Sequence, residues 1–271
     1  MHSSTIAFKT STIHYSYGGN GKNLLLCFHG YGESEKSFHF LEKYLPPSYF
    51  LIAIDMPYHG ESVWKEGMNF TMDDLDNIIA TIQAKHNFLG QPFSMMAFSM
   101  GGRIALSILQ RKQQQVSRLI LLAPDGLVLN FWYWLSTQTH LGNKLFLATI
   151  HKPGWFLQMV KLSNRLGLLN QSIYKFVDHF LHDKKKRKLL YLRWTCFRKI
   201  KPDLTGLKEC VAQYKIPVHL VYGKHDRIIL SSRGEKFKTG IETYCTLESL
   251  NCGHQVLHEK NIDVILKYLP H

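Results

Sequence analysis

Ala97-Phe98-Ser99-Met100-Gly101-Gly102 is the stretch that decides the fold. It closes the apolar run Phe93–Phe98 and opens Arg103-Ile104-Ala105-Leu106, so a buried strand turns directly into a helix. A serine on so sharp a turn is strained, and the residues two before and two after it must be small. Ala97 and Gly101 are. The turn exposes the Ser99 hydroxyl at a helix N-terminus, where the backbone N–H of Met100 can face a developing oxyanion. A serine at a helix start is common on its own. The motif therefore counts through its surroundings.

Outward from this turn, short apolar runs bounded by turn residues recur. Leu24–His29, Phe50–Asp55, Phe93–Phe98, Arg118–Ala123 and Pro217–Gly223 read as buried parallel strands, and Thr243–Leu250 reads as a further strand near the end. Between them Glu33–Tyr44, Met72–Phe88, Met100–Lys112 and Ser231–Lys238 read as helices, with Gln255–Tyr268 closing the chain. This alternation predicts an α/β fold: a mostly parallel central sheet with helices on both faces. Thr5–Lys9 and Thr12–Tyr17 alternate polar and apolar residues and predict an antiparallel hairpin on the sheet edge. The alternation fails after Gly126. Residues 126–212 read as an inserted helical cap, leaving 1–125 and 213–271 as the core.

Chemistry-bearing residues fall where those strands end. His29-Gly30-Tyr31-Gly32 follows the first parallel strand, and the N–H of Tyr31 is the candidate second oxyanion donor. Asp226 follows the Pro217–Gly223 strand, and His254 follows the last one. The order Ser–Asp–His across strand ends brings three distant residues to one edge of the sheet. Ser99 is then the candidate nucleophile, His254 its general base and later acid, and Asp226 the carboxylate that orients the imidazole. Asp125, after the Arg118–Ala123 strand, is a rival acid. His29 is expected to hold its loop by a hydrogen bond, Asp55 and His59 to brace a turn, and His225 and His258 to stand outside the chemistry. No metal-ligand spacing occurs, and Gly18-Gly19-Asn20-Gly21 lacks the Lys-Ser/Thr ending of a phosphate loop, so neither metal nor cofactor is expected.

In these motifs, their order and their spacing, the sequence resembles the α/β-hydrolase family over nearly its whole length. The resemblance implies a serine hydrolase with a helical cap, esterase- or lipase-like or cleaving a carbon–carbon bond, acting on a small, apolar carboxylic ester or related acyl substrate. The chain departs from the family pattern at Ala97, where Gly is usual, and at Tyr58, where Gly is frequent. Ser99-Met100-Gly101-Gly102-Arg103 also looks like the elbow of the family's menaquinone-pathway lyases. There the triad abstracts a proton, and arginines, here Arg103 with Arg193 or Arg198, bind an anionic substrate. The alternative for Arg103 is a pair with a local carboxylate. The Ser–Met pair is similar to that of cofactor-free perhydrolases as well. The complete triad argues against a purely binding role on the same fold, such as a cap-mediated lipid or anionic-ligand binder.

The 271 residues suffice for one core with an insertion. Five cysteines with no Cys-x-x-Cys pair predict neither a disulfide framework nor a zinc site, and a cytoplasmic protein is the expectation. Met1–Thr10 lacks the features of a signal peptide, and Leu119–Leu135 is interrupted by Pro124, Asp125, Gly126 and Asn130. The formal charge is +13, yet residues 127–212 carry 15 Lys and Arg against 4 Asp and Glu. Trp132, Trp134 and Trp155 in that stretch either line an acyl pocket or form the cap's own core. The basic run Lys184–Lys188 is a solvated helix end or a contact for an anionic membrane surface. No nucleic-acid motif accompanies the charge, so no nucleic-acid partner is expected.

Overall fold

The computed structural model describes residues 1–128, 131–168, 174, 177–178 and 180–270. The chain forms two compact units: Met1–Glu66 with Phe70–Val128 and Ile200–His271, and Gly67–Asn69 with Leu129–Lys199.

The first unit is built on an eight-stranded sheet. Its strands are β1 (His2–Phe8), β2 (Ser11–Gly18), β3 (Asn23–Phe28), β4 (Tyr49–Ile54), β5 (Phe93–Phe98), β6 (Val116–Leu122), β7 (Val218–Gly223) and β8 (Cys245–Leu250). Their order is β1-β2-β4-β3-β5-β6-β7-β8. The pairings β1–β2 and β2–β4 are antiparallel, and the rest are parallel. The hairpin therefore lies on the sheet edge, as its alternating pattern implied, and β5, buried at every position, lies in the middle.

Strand periodicity divides the core into two faces. Leu25, Cys27, Leu51, Ala53, Met96, Phe98, Ile120 and Leu122 share one core with Phe38 and Leu41 of the 3-10 helix Glu35–Lys43 and with Val256, Ile265 and Leu269. Their strand neighbours, among them Leu26, Ile54, Met95 and Leu121, are buried on the other face. There α2 (Met100–Arg111) packs on β3, β5 and β6, with α1 (Met72–Lys85) beside it. Helices cover both faces, completing the α/β architecture.

Among the boundaries that differ from the sequence reading, three have a clear local cause. The expected helix Glu33–Tyr44 is the 3-10 helix Glu35–Lys43, because Glu33 N–H already closes a turn onto Gly30 O (3.2 Å) and Ser34 caps the first turn. After α8 (Ser231–Lys238), the expected closing helix Gln255–Tyr268 shrinks to α9 (Ile262–Leu266), preceded by one 3-10 turn. The His258 ring caps that turn at Lys260 N–H (3.1 Å), and Asn261 Nδ2 donates back to Val256 O (2.8 Å). The chain also rejoins the first unit at Ile200, earlier than residue 213. Its helix α7 (Leu204–Tyr214) is clasped by α2: Gln110 donates to Asp203 O (2.7 Å) and accepts from Asp203 N–H (2.9 Å). Leu207 and Val211 of α7 are fully buried.

The second unit is helical, with α3 (Phe131–Gln138), α4 (His140–His151), α5 (Gly154–Arg165) and α6 (Lys184–Cys196). Asn143 knits it by donating to Ser136 O (2.9 Å) and Thr195 Oγ1 (3.2 Å) and accepting from the Tyr191 hydroxyl (3.2 Å). Asn130 and part of the 169–179 stretch lie outside the described residues. Among the described residues, no helix is long and apolar enough to cross a membrane.

Candidate active site

Ser99 occupies the single residue between β5 and α2, with φ 49° and ψ −114°. For a non-glycine residue this backbone costs about 1–3 kcal/mol and persists only where the surroundings enforce it. Ser99 N–H donates to Leu122 O (3.0 Å), while Ser99 O accepts from Gly102 N–H (2.9 Å) and Asp125 N–H (2.8 Å). Gly101 is there because of space: a Cβ on it would come within 2.1 Å of Phe28 O. Gly102, to which the sequence assigned no role, is equally constrained, its Cβ position lying 2.5 Å from the Pro124 side chain.

Two loops at the ends of β7 and β8 bring the partners of Ser99. They approach so closely that a Cβ on Gly223 would overlap Gly253 O at 1.9 Å. Backbone bonds from Lys224 N–H to Leu250 O (2.7 Å) and from His225 N–H to Cys252 O (2.9 Å) lock them together. His254 Nε2 stands 3.0 Å from Ser99 Oγ, and its Nδ1 stands 2.7 Å from Asp226 Oδ2. With the proton on Nδ1 donated to the carboxylate, Nε2 is left to accept the hydroxyl proton. Asp226 is buried, and its Oδ1 accepts Ile228 N–H (2.7 Å) and Ile229 N–H (3.0 Å). Burial opposes its charge, but the bonds from His254 and the two amides outweigh it and hold the carboxyl below the usual range.

Met100 N–H lies at the start of α2, and Tyr31 lies in the turn Gly30–Glu33, where Gly32 at φ 78° supplies the left-handed residue. His29 pins this turn: its Nδ1–H donates to Gly30 O (2.8 Å) and its Nε2 accepts from Met56 N–H (3.1 Å). It is a loop brace, as the sequence implied. Asp55 braces as well, accepting Glu35 N–H (2.9 Å) and Glu61 N–H (2.8 Å). His59 Nδ1–H donates to Pro57 O (2.9 Å). Tyr58, where the resembled family often has Gly, takes a left-handed φ of 62°.

The remaining expected residues take no part in the hydrogen-bond relay of Ser99, His254 and Asp226. Asp125, the rival acid, pairs with Arg103 and accepts Gly126 N–H (2.7 Å). Arg103 is buried with its charge committed to that carboxylate, the local pairing weighed against a substrate-binding role. Trp132, Trp134 and Trp155 are 59%, 39% and 41% exposed, too open to form the core of the second unit. His225 bonds Asn251 (2.8 Å).

Two features escaped the sequence. The first is a buried cluster of His14, Glu35 and Asp55, in which His14 Nδ1 meets Asp55 Oδ2 at 2.9 Å. Burial pushes the Asp55 carboxyl up, against the amides of Glu61 and Glu35. The ligand-type atoms lie close enough for a metal, but both carboxylates already accept hydrogen bonds from the chain. His14 and Asp55 meet through the pairing of β2 with β4, and the 3-10 helix brings Glu35 onto them, which local spacing does not reveal. The second is Glu33, which accepts from Ser37 Oγ (3.0 Å) and from Gln255 Nε2 (3.2 Å), tying the Tyr31 turn to the residue beside His254.

Comparison with known proteins agrees with this architecture. The model of the alpha/beta hydrolase fold matches residues 23–260. Monoacylglycerol lipase ABHD6 of Homo sapiens is 26% identical, over 91% of this chain and 74% of its own. The uncharacterized hydrolase YugF of Bacillus subtilis is 23% identical, over 92% and 89% of the two chains. Among solved structures, a thermophilic esterase from Thermogutta terrifontis superimposes with a TM-score of 0.68 at 14% identity, covering 99% of this chain and 98% of that one. The relatives support a hydrolytic activity. By the extent of the family match, the chain belongs to the α/β-hydrolase fold family.

Proposed function

We propose that the protein is a serine hydrolase that cleaves carboxylic esters of apolar acyl groups. The observation that carries this reading is the unbroken run of hydrogen bonds from Ser99 through His254 to buried Asp226, set on a strained strand-to-helix turn.

Ser99 Oγ attacks the ester carbonyl carbon as His254 Nε2 takes the hydroxyl proton. The carbonyl oxygen becomes an oxyanion facing the N–H groups of Met100 and Tyr31. A donor of this kind contributes about 3–4 kcal/mol where one has been removed from other enzymes. Asp226 keeps the imidazole in the required tautomer and stabilises the imidazolium without taking its proton. His254 then protonates the departing alkoxide, leaving Ser99 acylated. Water, deprotonated by His254, attacks the acyl-enzyme. Collapse of the second tetrahedral species releases the acid and restores Ser99. The Arg103–Asp125 pair weakens the lyase reading, which needed Arg103 for an anionic substrate.

The similarity to monoacylglycerol lipases favours monoacyl esters. Hydrolysis of p-nitrophenyl esters from acetate to dodecanoate tests the reading. Turnover that rises with acyl length and disappears in Ser99→Ala supports it. Turnover that survives in Ser99→Ala, or a folded protein inactive on every ester, refutes it.

A further inference from the structure

The second unit presents an exposed apolar helix face flanked by cations. Along α5, Trp155, Met159, Leu162 and Leu166 recur at helical spacing and form one narrow stripe. They are 41%, 49%, 58% and 63% exposed, while Val160 on the other side of the helix is buried. Lys161 and Arg165 run along one flank of the stripe, both exposed, and Lys152 stands just before the helix. Helix α4 repeats the pattern with exposed Leu141 and Leu145 beside exposed Lys144. Neither helix contains an acid, and residues 129–199 hold thirteen Lys and Arg against Asp178 and Asp183 alone.

An apolar stripe this open is stabilised by whatever removes it from water. The charge selects the occupant. A second copy of the chain would set one strongly cationic surface against another, so self-association through this face is opposed. Among the stripe's side chains only the indole of Trp155 carries a polar atom. The face therefore offers area and charge but few groups to fix a register. A fluid anionic surface needs no register, and Trp beside Lys and Arg suits the boundary between headgroups and acyl chains.

We propose that α5 docks the protein on anionic lipid bilayers. The stripe enters the acyl boundary, and Lys161 and Arg165 face the lipid phosphates. The proposal does not depend on the reaction assigned to Ser99.

Co-sedimentation of the full chain with vesicles tests it, in a Ser99→Ala background so that lipid hydrolysis cannot alter the membrane. The vesicles are phosphatidylcholine alone, or phosphatidylcholine mixed with phosphatidylglycerol. Met159→Gln with Leu162→Gln removes apolar area at exposed positions while keeping charge and helix propensity. The parent should bind mixed vesicles and bind neutral ones far more weakly. The glutamine pair should lower partitioning by about tenfold or more. Lys161→Gln with Arg165→Gln should lower it by roughly tenfold, and high salt should weaken binding by the parent. Ester turnover by the glutamine pair in the Ser99 protein, on a soluble short-chain ester, should stay at the parental level.

Equal binding by the parent and the glutamine pair would reduce the effect to adsorption by charge and overturn the role of the stripe. No binding to mixed vesicles, equal binding to both vesicle types, or a parental dimer that the glutamine pair dissolves would each overturn the proposal. Loss of ester turnover by wild-type protein with docking intact would instead refute the proposed reaction and leave docking standing.

Discussion

Replacing Gly101 by alanine tests the physical account of the turn that holds Ser99. The added Cβ would lie 2.1 Å from Phe28 O and 2.6 Å from Phe28 C. Ordinary carbon–oxygen approaches begin at about 3.3 Å, so α2 and β3 must separate locally by roughly 1 Å. Both obstacles are backbone atoms of a central strand, which cannot swing aside as a side chain would. Overpacking of this kind costs about 1–3 kcal/mol, a fall in Tm of roughly 2–6 °C for a chain of this size. The same displacement moves Met100 N–H and Ser99 Oγ relative to His254, and a misplacement near 1 Å costs about 100-fold in kcat. Gly253→Ala is the control: it adjoins His254, yet its Cβ would meet nothing within 4 Å. Thermal unfolding and steady-state hydrolysis of p-nitrophenyl butyrate measure both effects. Wild-type kcat and Tm in Gly101→Ala would refute the steric argument. An equal loss in Gly253→Ala would show that any added methyl near the site suffices.

Two further outcomes follow from the electrostatics. Asp226→Asn should lower kcat by about 1,000- to 10,000-fold, by analogy with the serine-protease triad, whereas Asp125→Asn should retain turnover within about tenfold; the reverse ranking would exchange their roles. Because the Asp226 carboxyl is held below its unfolded value, the stability it adds is present above the unfolded pKa and is lost as pH falls through the folded one, so Asp226→Asn should flatten the acid limb of the stability curve. His219 behaves oppositely to a histidine that gains an acidic partner. Burial, then Arg118, lowers it to about 4, and the neutral ring accepts from Arg118 Nη1 (3.1 Å) and bonds Thr246 (2.8 Å). The unfolded chain takes up this proton near pH 6.5 and the folded chain only near pH 4, so folding should lose about 3 kcal/mol across that interval. Denaturant unfolding of His219→Gln should show that loss removed, and an unchanged slope would contradict the assignment.

Local chemistry made much of this protein legible in advance. The turn at Ser99 was readable because its demands act within five residues: an apolar strand before it, small side chains at Ala97 and Gly101, and a helix after it. The parallel strands were readable because burial on both faces requires unbroken apolar runs, as in β5. The outer arm of the edge hairpin, β1, was readable because a half-exposed strand must alternate, whereas its inner arm β2 is buried at nearly every position. Tertiary structure decided what depends on distant side chains. Asp125 and Asp226 both follow strands, and only the packed loops show that Asp226 meets His254 while Asp125 neutralises Arg103. His14 and Asp55 meet across the β2–β4 pairing, Glu35 joins them from the 3-10 helix, and the three left no spacing to read. The early return at Ile200 depends on Gln110 grasping Asp203, 93 residues away in sequence. The boundary was hidden because helix propensity is blind to which surface a helix covers. Sequence alone specified the elements and the order of reactive groups, since backbone hydrogen bonding and periodic burial act over short spans. The partners of buried charges were settled only by folding, because desolvation makes each charge seek whichever counter-charge the packed chain brings within reach.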